Sequence, residues 1–203
     1  MSATLRKAAM FSPIVRPFAL LGCGVALLAA LPAMAECAHG KVRVDLPAQR
    51  LDERVQALAH ATGCFMEVDT ALLADKQAKR VRGRMTARNA LYLSLRGSGL
   101  EAAPYKGHWR IDQRQQQRFA RRIATLRATT AEQRERDAIS GLRARDVAHT
   151  LRHVEKAVPR EINEQAHLNV LDRVRYNERL DGVARRIGAP PPPLPLGWVA
   201  PVR

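Results

Sequence analysis

The hydrophobic period of the chain switches from two to about 3.6 residues at Pro47, and that switch fixes how a compact domain must begin. Lys41-Val-Arg-Val-Asp-Leu46 places Val42, Val44 and Leu46 on one face of a strand. Pro47 blocks its continuation, and from Arg50 onward Leu51, Val55, Leu58 and Ala59 share one face of a helix. Gly63 ends that helix by taking the left-handed conformation that closes off its last carbonyls, and Cys64 to Val68 reads as a second strand. Val81 to Met85 is a third, shorter strand. Thr86 is an N-cap for a helix carrying Ala90, Leu91 and Leu95, which Gly97-Ser-Gly99 stops. Tyr105 to Ile111, turning at Lys106-Gly107, offers a closing hairpin. Strand, helix, strand, strand, helix and a final one or two strands predict a small α+β domain.

Six pieces in this order resemble the STN domain, the secretin and TonB N-terminal short domain of bacterial envelope proteins. They are Val44-Asp-Leu-Pro-Ala-Gln-Arg-Leu51, Leu58-Ala-His-Ala-Thr-Gly63, Val68-Asp69, Gly83-Arg-Met-Thr86, Ala90-Leu91 and Gly97-Ser-Gly-Leu100. The resemblance covers about a third of the chain. Ser94 departs from it where a second leucine is usual, and Arg54 stands in place of a frequent alanine; both are expected on a helix surface. The resemblance implies two helices sandwiched between a two-stranded and a three-stranded sheet, serving as a protein-interaction module and not as a catalyst.

The 203-residue chain divides by composition. Residues 1–35 read as a cleavable export signal: Arg6, Lys7 and Arg16 precede the apolar run Phe18 to Leu31, and Ala33-Met-Ala35 is an A-x-A cleavage site. The run of about 14 residues is short for a bilayer span and ends at Pro32. Leu20-Leu-Gly-Cys23 suggests a lipidation motif, but the apolar run continues well past Cys23. Cleavage leaves Cys37 and Cys64, a candidate disulfide in an oxidising periplasm, with free thiols as the alternative. A nucleophilic Cys64 has His60 one helical turn away, yet no acid or oxyanion donor accompanies the pair.

Residues 36–112 form the STN-like domain, 113–188 a basic helical region and 189–203 a Pro-rich tail. In the helical region Phe119, Ile123 and Leu126 make one stripe. Thr129-Thr130 with Glu132 and Gln133 is a capping-box signal for a second helix bearing Val147, Leu151, Val154 and Val158. Pro159 is expected to interrupt that helix. A third starts near Arg160 and carries Leu171, Val174, Leu180, Val183 and Ile187. A helical hairpin or three-helix arrangement follows, its narrow stripes buried against one another, against the first domain or against a partner. Ala189-Pro-Pro-Pro-Pro-Leu-Pro-Leu-Gly-Trp198 is a polyproline segment that either reaches outward with Trp198 as anchor or folds back over the chain; Trp109 belongs to sheet packing.

Without the signal the chain carries 31 Lys and Arg against 19 acids, a net charge of +12. With an export signal, that charge points to anionic lipid, lipopolysaccharide, peptidoglycan carboxylates or an acidic protein rather than nucleic acid. Phe119 and Tyr176 are too few for base stacking along the helices. His149 and His153, four apart, have the spacing of a shared metal, with His167 on the next helix, but the glutamate of a metalloprotease helix is missing. Asp52-Glu53 lie in a first helical turn, where negative charge meets the dipole favourably. No nucleophile, base and electrophile stabiliser come together, so no enzyme activity, cofactor, metal or small-molecule substrate is expected. The expected role is that of a free-standing adaptor in the periplasm, possible outer-membrane association included, that meets a periplasmic or membrane protein. The alternative is a structural accessory of a secretin-type envelope machine. The interaction candidates are Arg50, Arg54 and Gln56 on the first helix, and Lys76, Lys79, Arg80, Arg82 and Arg84 in the basic loop Asp75 to Arg84.

Overall fold

A computed structural model describes residue 37 and residues 40–189. The signal at 1–35, Cys23 and the tail from Pro190 through Trp198 lie outside the described residues. The described chain is α+β. Its order is β1 (Lys41–Leu46), β2 (Gln49–Arg50), α1 (Leu51–Thr62), β3 (Met66–Val68), β4 (Gln77–Ala78), β5 (Val81–Thr86), α2 (Ala87–Leu95), β6 (Glu101–Tyr105), β7 (His108–Asp112), α3 (Arg114–Glu135), α4 (Gly141–Gln165) and α5 (Val170–Arg186).

Alternation decides the sheets. β1 pairs antiparallel with β5, so that Val44 lies opposite Gly83 and faces the core. β3 runs parallel to β7, and β7 antiparallel to β6, giving a three-stranded sheet in the order β3-β7-β6. A two-residue ladder joins β2 to β4. Arg50, at the N-cap of α1, makes no capping side-chain bond, but the Leu51 amide donates to the Lys76 carbonyl at 2.9 Å and Asp52 and Glu53 occupy the first turn. Gly63 closes the helix at φ 64°. Thr86 Oγ1 accepts from the Asn89 amide at 3.2 Å and so starts α2. Leu51, Val55 and Leu58 of α1 meet Ala90, Leu91 and Leu95 of α2 in the core, with Leu100 and Ile111 beside them.

Cys37 and Cys64 are joined by a disulfide, their Cα atoms 4.4 Å apart. It closes a loop with a sequence separation of 27, for which chain entropy gives a stabilisation of about 3.5 kcal/mol. The C37S/C64S variant is therefore expected to unfold at a clearly lower urea midpoint with a slope no smaller than the parent's, since the released unfolded chain exposes more surface, and an unchanged midpoint would refute that contribution.

The helical region departs from expectation in three places. Thr129 and Thr130 do not start a helix: α3 runs through both, and their hydroxyls donate to the carbonyls of Thr125 at 3.1 Å and Leu126 at 2.6 Å. The break comes later, where Asp137 takes φ 55° and Ser140 Oγ accepts from the Arg143 amide at 3.3 Å. Pro159 does not interrupt α4. Its ring is exposed while Val154, Ala157, Val158 and Ile162 around it are buried, and that packing offsets the lost backbone bond. The third helix starts at Val170, not near Arg160, with Asn169 Oδ1 accepting from the Asp172 amide at 2.8 Å. Its buried face is then Tyr176, Leu180 and Val183. Leu171, assigned to that stripe by the sequence, is 80% exposed and Val174 48%.

The three helices bury their stripes against one another, with Phe119, Ile123 and Leu126 meeting Val147, Leu151, Val154 and Leu180. The end of α4 is also tied to the α/β core. The Gly97 amide donates to the Asn163 carbonyl and the Ala102 amide to the Ala166 carbonyl, both at 2.9 Å, and His167 stacks on Tyr92 at 4.2 Å.

Candidate interaction site

The expected candidates scatter when placed on the fold. Arg50 is exposed and paired with Asp52 at 2.8 Å, and Gln56 is exposed on α1. Lys76 is half-buried. The stretch Asp75 to Arg84 is not one loop: β4 and most of β5 lie within it. Lys79 and Arg80 precede β5, whereas Arg82 and Arg84 sit on its outer face with their side chains exposed.

The antiparallel register sets Arg82 opposite Asp45, Arg84 opposite Arg43, and Thr86 opposite Lys41. Arg80 bonds Asp45 at 3.0 Å and Arg82 approaches it at 3.7 Å, and the Arg80 hydrogen bond holds that carboxyl below the usual carboxylate range. Among the described residues, no carboxylate is paired with Lys41, Arg43 or Arg84. Sequence reading passed over Lys41 and Arg43, although the alternation that sends Val42 and Val44 inward sends these two outward.

Arg54 is not a surface residue. It is 0% exposed, and Nη1 donates to the Lys79 carbonyl at 3.0 Å and to Ser94 Oγ at 3.1 Å. Nη2 donates to the carbonyls of Leu46, at 3.4 Å, and Pro47. Burial pushes its pKa down, yet a guanidinium stays charged in a protein. Ser94 is buried too, so the two positions that depart from the STN pattern form one hydrogen-bonded pair beneath the surface.

The outer face of the three-stranded sheet carries a second group, arranged in rows across the strands. Phe65, His108 and Tyr105 form one row: His108 meets the Phe65 ring edge-on at 5.2 Å and the Tyr105 ring at 5.4 Å. Beside it, Glu67 lies opposite Arg110. Arg110 donates twice to Glu67, at 3.1 Å each, and His108 Nε2 bonds the same carboxylate at 2.7 Å. Arg110 first and His108 second hold the Glu67 carboxyl below its ordinary range. The Arg110 guanidinium also sits over the Tyr105 ring, 3.2 Å from its centre. Phe65 is 61% exposed, although its carbonyl is held by the Trp109 amide at 3.0 Å and its neighbour Cys64 by the disulfide. Trp109 itself points inward and meets Tyr92 edge-on.

At the far end of this sheet Glu101 is buried beneath α3. Its Oε1 accepts from the Gln115 amide in the first turn of α3, and Oε2 has no partner among the described residues. Burial, set against the Gln115 hydrogen bond and reinforced by Asp112, raises its carboxyl from 4.5 to about 7.

His149 and His153 line one groove with Arg175, Arg179 and Arg186. Arg179 Nη1 donates to His153 Nδ1 at 3.0 Å, His149 is exposed on the same helix, and His167 is occupied with Tyr92. Among the described residues no three of His, Cys, Asp and Glu are placed to hold a metal. No described helix is long and apolar enough to cross a membrane.

No protein-family model matches the chain, and no curated protein matches it. Two solved structures are similar to part of it. One is the ferripyoverdine receptor of the outer membrane of Pseudomonas aeruginosa bound to ferripyoverdine, at 19% identity and a TM-score of 0.34. The other is P. aeruginosa FpvA bound to a heterologous pyoverdine, at 19% identity and a TM-score of 0.35. Each match covers 36% of this chain and 10% of the receptor chain, so the protein spans a tenth of the length of the receptors it is similar to.

Proposed function

We propose that the chain is a protein-interaction module of the bacterial cell envelope, an exported adaptor whose role resembles that of the signalling domain of TonB-dependent receptors, and not an enzyme. The sequence resemblance from Val44 to Leu100 supports this reading, and one observation carries it. An exposed phenylalanine stands on a sheet face beside a histidine and an arginine that share the Glu67 carboxylate, and a tyrosine ring under that arginine. Aromatic and arginine side chains held in place before contact are what the energetic centres of protein interfaces are made of, because little side-chain entropy remains to be lost. The partner is a periplasmic or membrane protein offering an apolar pocket to Phe65.

The test is crosslinked capture from the periplasm of the native organism, read by mass spectrometry. F65A is expected to lower recovery of the specific partner by about tenfold or more, as for an interface centre. Phe65 is exposed, so the variant keeps its core. Full recovery with F65A, together with loss on K79E/R82E, would move the interface to the β1–β5 face. Recovery of ring-forming secretin components would instead favour a structural accessory of a secretion machine.

A further inference from the structure

The β1–β5 face has a different chemistry from the aromatic row, and its cations outnumber what the chain itself can neutralise. Lys41, Arg43, Arg80, Arg82 and Arg84 share this face with a single carboxylate, Asp45, which is taken by Arg80 and Arg82. Arg43 and Arg84 lie directly opposite each other across the ribbon. Like charges in that position repel and destabilise a strand pair, and an anion held between them would relieve that repulsion.

We propose that this face, centred on Arg43 and Arg84, docks the chain on a phosphate-dense lipid surface of the envelope, the two guanidinium groups taking lipid phosphoryl oxygens. The planar fork of arginine matches phosphate with two parallel hydrogen bonds. A lone phosphate on so open a face would be screened by salt, so retention requires many phosphates presented together, as a bilayer presents them. An acidic protein fits less well. The outward positions of the ribbon are Lys41, Arg43, Asp45, Arg82, Arg84 and Thr86, none of them apolar, whereas protein interfaces centre on buried apolar or aromatic groups. The inference stands apart from the adaptor reading, which rests on the opposite chemistry of the Phe65 face.

Chain purified from the periplasmic fraction would be floated with vesicles of phosphatidylcholine, with and without phosphatidylglycerol. Binding is expected only with the anionic lipid, and R43Q/R84Q is expected to weaken it about 25-fold, at about fivefold per cation near such a surface. R118Q/R121Q, which removes the same charge from exposed positions on α3, is expected to change it far less. All four arginines are exposed, so both variants keep the fold. Equal losses from the two variants would overturn the assignment in favour of general basic charge. Binding to polyglutamate as tight as to vesicles would point to an acidic protein surface, and full competition by inorganic phosphate at matched phosphate concentration would point to a small-anion site; either result overturns the proposal.

Discussion

Replacing Arg54 by alanine is expected to cost about 3–5 kcal/mol of stability, the range for truncating a large buried side chain whose hydrogen-bond acceptors lose their donor. The substitution leaves the buried Ser94 Oγ and the part-buried carbonyls of Lys79, Leu46 and Pro47 without their donor. It also opens a cavity between α1 and α2. Substituting both members of the Arg54–Ser94 pair changes the sign of part of this effect. In R54A/S94L the new leucine fills space that the guanidinium vacates and removes one orphaned hydroxyl, so the double variant is expected to recover at least 1 kcal/mol over R54A, about the worth of one buried polar group. S94L alone, forced against an intact guanidinium, is expected to be destabilised. Urea unfolding of the four proteins closes the cycle, and strictly additive losses would show that the two residues do not act as a pair.

A second large effect is set by pH. The Glu101 carboxyl titrates at about 7 in the folded chain against an ordinary 4.5. Between those values the folded state holds a proton that the unfolded state has released. Its stabilising contribution is therefore complete below pH 4.5 and is lost as the pH rises through about 7, by about 3 kcal/mol in all. E101Q keeps the shape and an acceptor for the Gln115 amide but cannot ionise. It should match the parent at pH 4 and exceed it by about 2–3 kcal/mol at pH 8. Unfolding midpoints of both proteins at pH 4, 6 and 8 provide the check; a constant offset across the range would mean that burial does not raise this carboxyl.

The residues whose structure follows from near neighbours were legible in the sequence. Val42, Val44 and Leu46 form an inward row because alternation alone requires it, and Gly63 and Thr86 end and start helices through bonds made within a few residues. Arg54 was not legible, because two of its acceptors lie 25 and 40 residues away in the sequence and a charged residue in a helical pattern reads as solvent-facing. Pro159 and the Thr129-Thr130 pair misled for a related reason: each carries a strong local signal for a helix boundary that burial on the neighbouring helices outweighs. The cationic face was half legible. Arg82 and Arg84 stood out as charges, but their alignment with Arg43 is a matter of register, and a strand of so few residues does not announce its register. The aromatic row needed still more, since Phe65 meets His108 only through a parallel pairing that no turn in the sequence specifies.

That parallel pairing also decides when the contact face comes into being. Glu67 and Arg110 are separated by 43 positions, and the three rings beside them come from β6, β7 and the residue before β3, so no fragment that stops short of β7 assembles the face. A chain clipped between α1 and β6, or halted before β7 docks, still shows Phe65 to solvent but not the histidine, tyrosine and ion pair that hold its surroundings. A partner that reads the whole row would thus read the completeness of the domain at the same time, and would pass over damaged or unfinished copies without any separate proofreading step.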